Sequence, residues 1–124
     1  MGKFVVKSTE KGARFNLVAG NGEVIATSQT YKALRSCLQG VESVRANAPV
    51  AALEDQTKED FAVEKCPKFQ VYQDNSGEFR FRLLAKNGQN IAHSEGYSAL
   101  RSCLNGIESV RKNAADAKVV QEEA

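Results

Sequence analysis

The stretch YKALRSCLQGVESVRANA, Tyr31 to Ala48, returns as YSALRSCLNGIESVRKNA, Tyr97 to Ala114, changed only at Lys32/Ser98, Gln39/Asn105, Val41/Ile107 and Ala46/Lys112. Ala33, Leu34, Cys37, Leu38, Val41, Val44 and Ala48 recur at spacings of three and four, which predicts an amphipathic helix in each copy. Lys32, Arg35, Gln39, Glu42 and Ala46 then form its solvated side. Gly40 and Gly106 sit inside these helices, where glycine costs about 1 kcal/mol relative to alanine. A tertiary reason is therefore expected: close approach of the helices to each other or to a sheet, at or near a pseudo-twofold axis.

Working upstream at the same offset of 66 residues, Phe15, Leu17 and Ala19 answer to Phe81, Leu83 and Ala85, and Asn21-Gly22 answers to Asn87-Gly88. Before that the offset falls to 65, pairing Phe4 and Val6 with Phe69 and Val71. The duplication spans residues 3–54 and 68–121, joined by a charged connector, 55–67, within a single compact domain, 1–124. Alternation of apolar residues over Lys3–Ser8 and Arg14–Ala19 predicts half-buried strands. A three-residue loop, Gly20-Asn21-Gly22, sets Leu17 against Ile25 and Leu83 against Ile91, whereas Asn21-Gly22 alone sets Leu17 against Ala26; the apolar pattern favours the longer loop. Val50–Leu53 and Lys118–Gln121 follow the helices as short final strands. One copy is too short to hold its own core, so the two share a sheet. The expected fold is α+β: two tandem β3-α-β repeats forming one mainly antiparallel sheet with both helices on one face.

Composition narrows the function classes. The chain has 124 residues, 42% hydrophobic and 26% charged, an ordinary globular mixture. Its net charge of +2 falls short of the strongly basic balance of a dedicated nucleic-acid binder. Three cysteines and one histidine, without a CxxC, supply poor ligands for zinc and no disulfide framework. MGKFVVKS lacks the pattern of a signal peptide and Val6 breaks the myristoylation motif, which leaves a cytoplasmic location as the expectation.

The combination FxV, FRFRL, NGxxI, SEGY and NGIESVRKNA in the second copy, with its counterpart in the first, resembles the YegP-like small bacterial proteins, a family built on a domain of unknown function. The resemblance covers nearly the whole chain, and its most specific segment is Asn105 to Ala114. It implies merged β3-α-β units that exchange their last strands, so that Val50–Leu53 pairs in the second half and Lys118–Gln121 in the first. It brings no activity, cofactor or catalytic residue.

No catalytic, cofactor-binding or metal-ligating set stands out in the residues themselves. Cys37 and Cys103 lie on the apolar stripe and read as small buried hydrophobes; Cys66, before Pro67, reads as an accessible thiol. His93, answered by Thr27, reads as a structural histidine, with a small-molecule enzyme site beside it as an alternative. The glycines lead into strands rather than helices, against a phosphate loop. The helix-free sheet face is more informative. It is expected to carry Lys7, Arg14, Asn16, Val18, Val24 and Ala26 in one copy and Tyr72, Arg80, Arg82, Leu84, Asn90 and Ala92 in the other. Arg14, Asn16, Tyr72, Arg80 and Arg82 are its candidate interaction residues. A non-enzymatic interaction module is the first reading, with an unknown protein partner, and weak nucleic-acid binding through this face is the second. Membrane association is not expected, and a monomer is, because the tandem repeat supplies its own pseudo-dimer. The connector carries Phe61 and Val63 as a buried-looking pair in an otherwise charged tether.

Overall fold

The computed structural model describes residues 2–123. Each repeat folds as three strands and a helix. β1 (Lys3–Thr9), β2 (Gly12–Val18) and β3 (Val24–Thr27) lead into α1 (Leu34–Asn47) and the short strand β4 (Ala52–Asp55). β5 (Lys68–Gln73), β6 (Phe79–Leu84) and β7 (Asn90–His93) lead into α2 (Leu100–Ala114) and β8 (Lys118–Glu123). All eight strands join one sheet in the order β4-β5-β6-β7-β3-β2-β1-β8. β4, from the first repeat, runs parallel beside β5, and β8, from the second, runs parallel beside β1. The last strands are thus exchanged, and the two halves meet where Thr27 lies opposite His93.

Alternation decides which face is buried. Phe4 and Val6 of β1, Phe15 and Leu17 of β2, and their counterparts Phe69, Val71, Phe81 and Leu83 are all fully buried beneath the helices. Phe4 meets Phe15 edge to face with ring centroids 5.7 Å apart, and Phe69 meets Phe81 at 5.9 Å. Each helix contributes Cys37, Val41 and Val44, or Cys103, Ile107 and Val110, to the same core. The buried stripe is narrower than the sequence suggests: Leu34 remains 36% exposed, on its rim.

The β2–β3 loop is the three-residue one. Ala19 N–H donates to Glu23 C=O at 2.8 Å, and Gly22 takes the left-handed conformation, φ 89°, that favours glycine. The register beyond it differs from expectation. Leu17 lies opposite Ala26, and Leu83 opposite Ala92, because a β-bulge follows the Val18–Val24 pair and its equivalent. The extra residue in the bulge lets consecutive side chains turn to the same side, so Ile25 and Ala26 are both buried, as are Ile91 and Ala92. Ala26 and Ala92 therefore leave the helix-free face and join the core. At the far end of β3 from the bulge, just past Thr27, the Ser28 hydroxyl accepts the Phe15 N–H at 2.9 Å, and Ser94 does the same for Phe81.

Two further expectations are corrected. Residues 48–50 form a single 3-10 turn, with Pro49 in its first turn where a missing N–H costs nothing, so Val50 stays outside the strand and is 72% exposed. Phe61 and Val63 are not a buried pair: they are 37% and 77% exposed, because the connector lies along the sheet edge rather than inside it. The repeats are latched at the helix C-termini. Arg45 donates to Ala117 C=O at 2.8 Å across the Phe4 ring, and Arg111 donates to Ala48 C=O at 3.3 Å across the Phe69 ring.

Candidate functional site

Cross-strand partners share a face, so the register places Gln70, Arg82, His93, Thr27, Asn16 and Val5 in one row across the side of the sheet away from the helices. Arg14, Asn16, Tyr72, Arg80 and Arg82 all belong to this face, but most of them are already engaged by neighbouring side chains. The Arg80 guanidinium lies 2.6 Å from the Asp74 carboxylate, which it holds far below the usual carboxylate range with help from the Ser76 hydroxyl. Arg82 donates to Gln70 Oε1 at 2.6 Å and lies over the Tyr72 ring, 4.4 Å from its centroid. Asn16 accepts from the Thr27 hydroxyl at 2.9 Å. A base seeking Tyr72 would have to displace a cation already stacked on it.

Arg14 is different. It shares a cleft of about 350 Å³ with Lys7, Lys11 and Thr30 at the far end of β1 and β2. None of the ion pairs among the described residues includes these three cations. Each is exposed, and Lys7 lies between Arg14 on β2 and Glu122 on β8. The face is thus unevenly engaged: in the second half Arg80 is paired with Asp74 and Arg82 is held by Gln70 and Tyr72, whereas one corner of the first half gathers cations outside the ion pairs of the described residues.

His93 sits half-buried at the junction of the halves, where burial, aided by Arg80, lowers its pKa. It lies outside the clefts described here. The thiols of Cys37 and Cys103 are fully buried, and burial raises both, that of Cys103 to about 11. A thiol so placed stays protonated near neutral pH and is a poor nucleophile. Among the described residues no cluster of His, Cys, Asp or Glu is arranged to hold a metal ion.

The sequence reasoning missed a pair of matched clefts. One, of about 230 Å³, lies between α1 and the β6–β7 turn and is bordered by Tyr31, Ser36 and Gly40; the other, of about 270 Å³, lies between α2 and the β2–β3 turn and is bordered by Tyr97, Ser102 and Gly106. They explain the helix glycines. A Cβ at position 40 would stand 2.5 Å from the Tyr31 hydroxyl oxygen, and one at 106 would stand 2.6 Å from that of Tyr97. The glycines admit the tyrosine of their own repeat, with Phe15 or Phe81 of the sheet close behind, rather than a second helix. The repeated Tyr-x8-Gly spacing was the available signal.

This architecture is shared. The model of the domain of unknown function DUF1508 matches residues 8–55 and again 74–121. The chain belongs to this family. A UPF0339 protein of Pseudomonas aeruginosa is 36% identical over 121 residues, 97% of this chain and 96% of that one. A UPF0339 protein of Treponema denticola is 59% identical over 54 residues, 44% of this chain but 93% of its own length, so the stretch matched, about one repeat long, spans nearly all of it. Among solved structures, the protein of unknown function yegP from E. coli superposes with a TM-score of 0.79 at 31% identity, covering 99% of this chain and 94% of that one. The YegP-like resemblance read from NGIESVRKNA is therefore correct. These DUF1508 relatives carry no assigned function.

Proposed function

We propose that this DUF1508 protein is a non-enzymatic, cytoplasmic interaction module, monomeric in solution, which uses the basic corner of its helix-free sheet face to hold an acidic segment of a protein partner. The observation that carries this reading is the Lys7, Lys11 and Arg14 cleft, which gathers three exposed cations without an ion-paired carboxylate among the described residues. One exposed apolar side chain lies beside it on the same face, Val120 at 37% exposure, two residues along β8 from the partner of Lys7. Three free cysteines suit a reducing compartment, and no helix among the described residues is long and apolar enough to cross a membrane. The fully buried thiols, raised by burial, are poor nucleophiles, which favours binding over thiol catalysis.

The test is fluorescence anisotropy with a labelled oligoglutamate peptide and a labelled single-stranded oligonucleotide, each at low and moderate salt. The reading expects peptide binding that weakens with salt and is lost in a Lys7→Ala, Arg14→Ala double variant. Preference for the oligonucleotide would convert the site to a nucleic-acid interface. Binding of neither probe would remove the proposal.

A further inference from the structure

The two repeats match strand for strand, but their edges are finished differently. Beyond β4 the connector, residues 56–67, turns back along the sheet edge and packs a charged pair beneath it. Lys68 Nζ donates to Glu54 Oε1 at 2.7 Å and to Glu64 C=O at 2.9 Å, while Glu64 N–H donates to Glu54 at 3.0 Å. The result is a Glu54 only 2% exposed and a Lys68 only 7% exposed at the rim of the sheet. On the helix side of the same edge, Phe61 and Ala62 of the connector border a cleft with Leu53 and Leu104.

At the opposite edge the matching positions stand open among the described residues. Lys3 stands where Lys68 stands, yet it is exposed and belongs to none of the ion pairs among the described residues. Val120 replaces Glu54 and Val119 replaces Leu53, and both are open to solvent, at 37% and 38%. Leu34 and Leu38 of α1, the equivalents of Leu100 and Leu104, border a mainly apolar cleft of about 580 Å³ with Arg35, Gln39 and Glu42. Edge strands are ordinarily guarded by charge, proline or a covering segment; among the described residues β8 is an edge strand with charge at Lys118 and Glu122, and between them Val119 and Val120 leave apolar surface on both faces.

We propose that the β8 edge, together with Leu34 and Leu38, is a docking groove for an extended acidic segment of another protein carrying an aromatic anchor. The segment lies as the connector lies on the other edge, its anchor toward Leu38 and a carboxylate on Lys3, held through side chains at the sheet margin as Glu54 and Lys68 hold the connector. Charge selects this occupant: the substitution of Val120 for Glu54 leaves Lys3 without the carboxylate that its counterpart holds, so the missing acid must come from the ligand. The groove adjoins the Arg14 corner at Val120 but takes its charge from Lys3 rather than from Lys7, Lys11 and Arg14.

The probe is a fluorescein-labelled peptide of the connector sequence, TKEDFAVEK, residues 57–65, titrated into the full chain at low salt. Saturable binding is expected, and it should fall by about tenfold or more with Lys3→Glu and with Leu38→Asp. The deciding variant is Val120→Glu, an exposed position at which the new carboxylate supplies Lys3 internally; folding is checked by circular dichroism, and peptide affinity should drop comparably. A peptide with alanine for the phenylalanine should bind weakly, and Arg14→Ala should leave the connector peptide bound as before. Absence of saturable binding at millimolar peptide, or binding indifferent to Val120→Glu, overturns the proposal. So does concentration-dependent dimerisation that the peptide fails to compete, since the occupant would then be a second copy.

Discussion

Replacing glycine in a helix interior by alanine ordinarily stabilises a protein, by about 1 kcal/mol. Gly106→Ala should do the opposite here. The new methyl would lie 2.6 Å from the Tyr97 hydroxyl oxygen and 3.1 Å from Phe81 Cε2, and Phe81 is fully buried and cannot withdraw. The Tyr97 backbone is fixed by paired hydrogen bonds with Phe79, each 2.8 Å, so the ring yields only at its tip. Overpacking of this kind costs about 1–3 kcal/mol, which outweighs the propensity gain and leaves a net loss of about 1 kcal/mol. Removing the hydroxyl with Tyr97→Phe leaves contacts of 3.1 and 3.2 Å, which small shifts absorb. In that background Gly106→Ala should become neutral or stabilising, giving a coupling of about 1–2 kcal/mol between the two sites. Urea unfolding of the four proteins in the cycle measures this, since 1 kcal/mol moves the midpoint by roughly 0.5 M for a domain of this size. If Gly106→Ala raises the midpoint with Tyr97 intact, or the two changes add, the steric account of the glycine is wrong.

Other outcomes follow from the same geometry. Burial alone would raise the Glu54 carboxyl, but Lys68, the Glu64 N–H and the amides of Gln56 and Gln70 more than offset it and bring it from 4.5 to about 2. A depressed folded value means stability that is present above pH 4.5 and lost as pH falls toward 2, so acid unfolding of Glu54→Gln should be flatter in that window. At neutral pH the same variant strands a buried ammonium and should lose about 3 kcal/mol in a urea melt. Thiol titration of the native protein with an aromatic disulfide should modify Cys66 quickly, while Cys37 and Cys103 react only on unfolding, because both are fully buried; fast modification of more than one thiol would contradict this. Arg45→Ala, which loses the donor to Ala117 and the cation over Phe4, should cost about 1–2 kcal/mol by thermal unfolding.

Periodicity made the strands and helices legible because one face of each is apolar and nothing competes with that pattern. The bulge escaped the same reasoning for a physical cause: Ile25 and Ala26 are both apolar, so either register buries one of them, and only the packed sheet buries both. The helix-free face was placed correctly for Arg14, Asn16, Tyr72, Arg80 and Arg82, but their availability was not readable. Asp74 reaches Arg80 from a hairpin turn, and Arg82 covers Tyr72 from the next strand, contacts set by side-chain rotamers rather than by spacing. The glycine was recognised as a close approach, yet its partner lies before the helix and reaches it only when the chain folds over. The asymmetry of the two edges was invisible for a similar reason, since a charged connector reads as a tether until its backbone is seen binding Glu54 and Lys68.

Strand exchange also gives the chain the topology of a ring that has been opened at one place. β8 arrives beside β1 as β4 arrives beside β5, and in the second case residues 56–67 bridge the step. A like bridge from β8 to β1, with the connector cut instead, would reproduce every strand neighbour in the sheet. Nothing in the strand order itself marks one repeat as first; the distinction lies in where the backbone is interrupted, and this is a molecule in which circular permutation should relocate the interruption while keeping the fold.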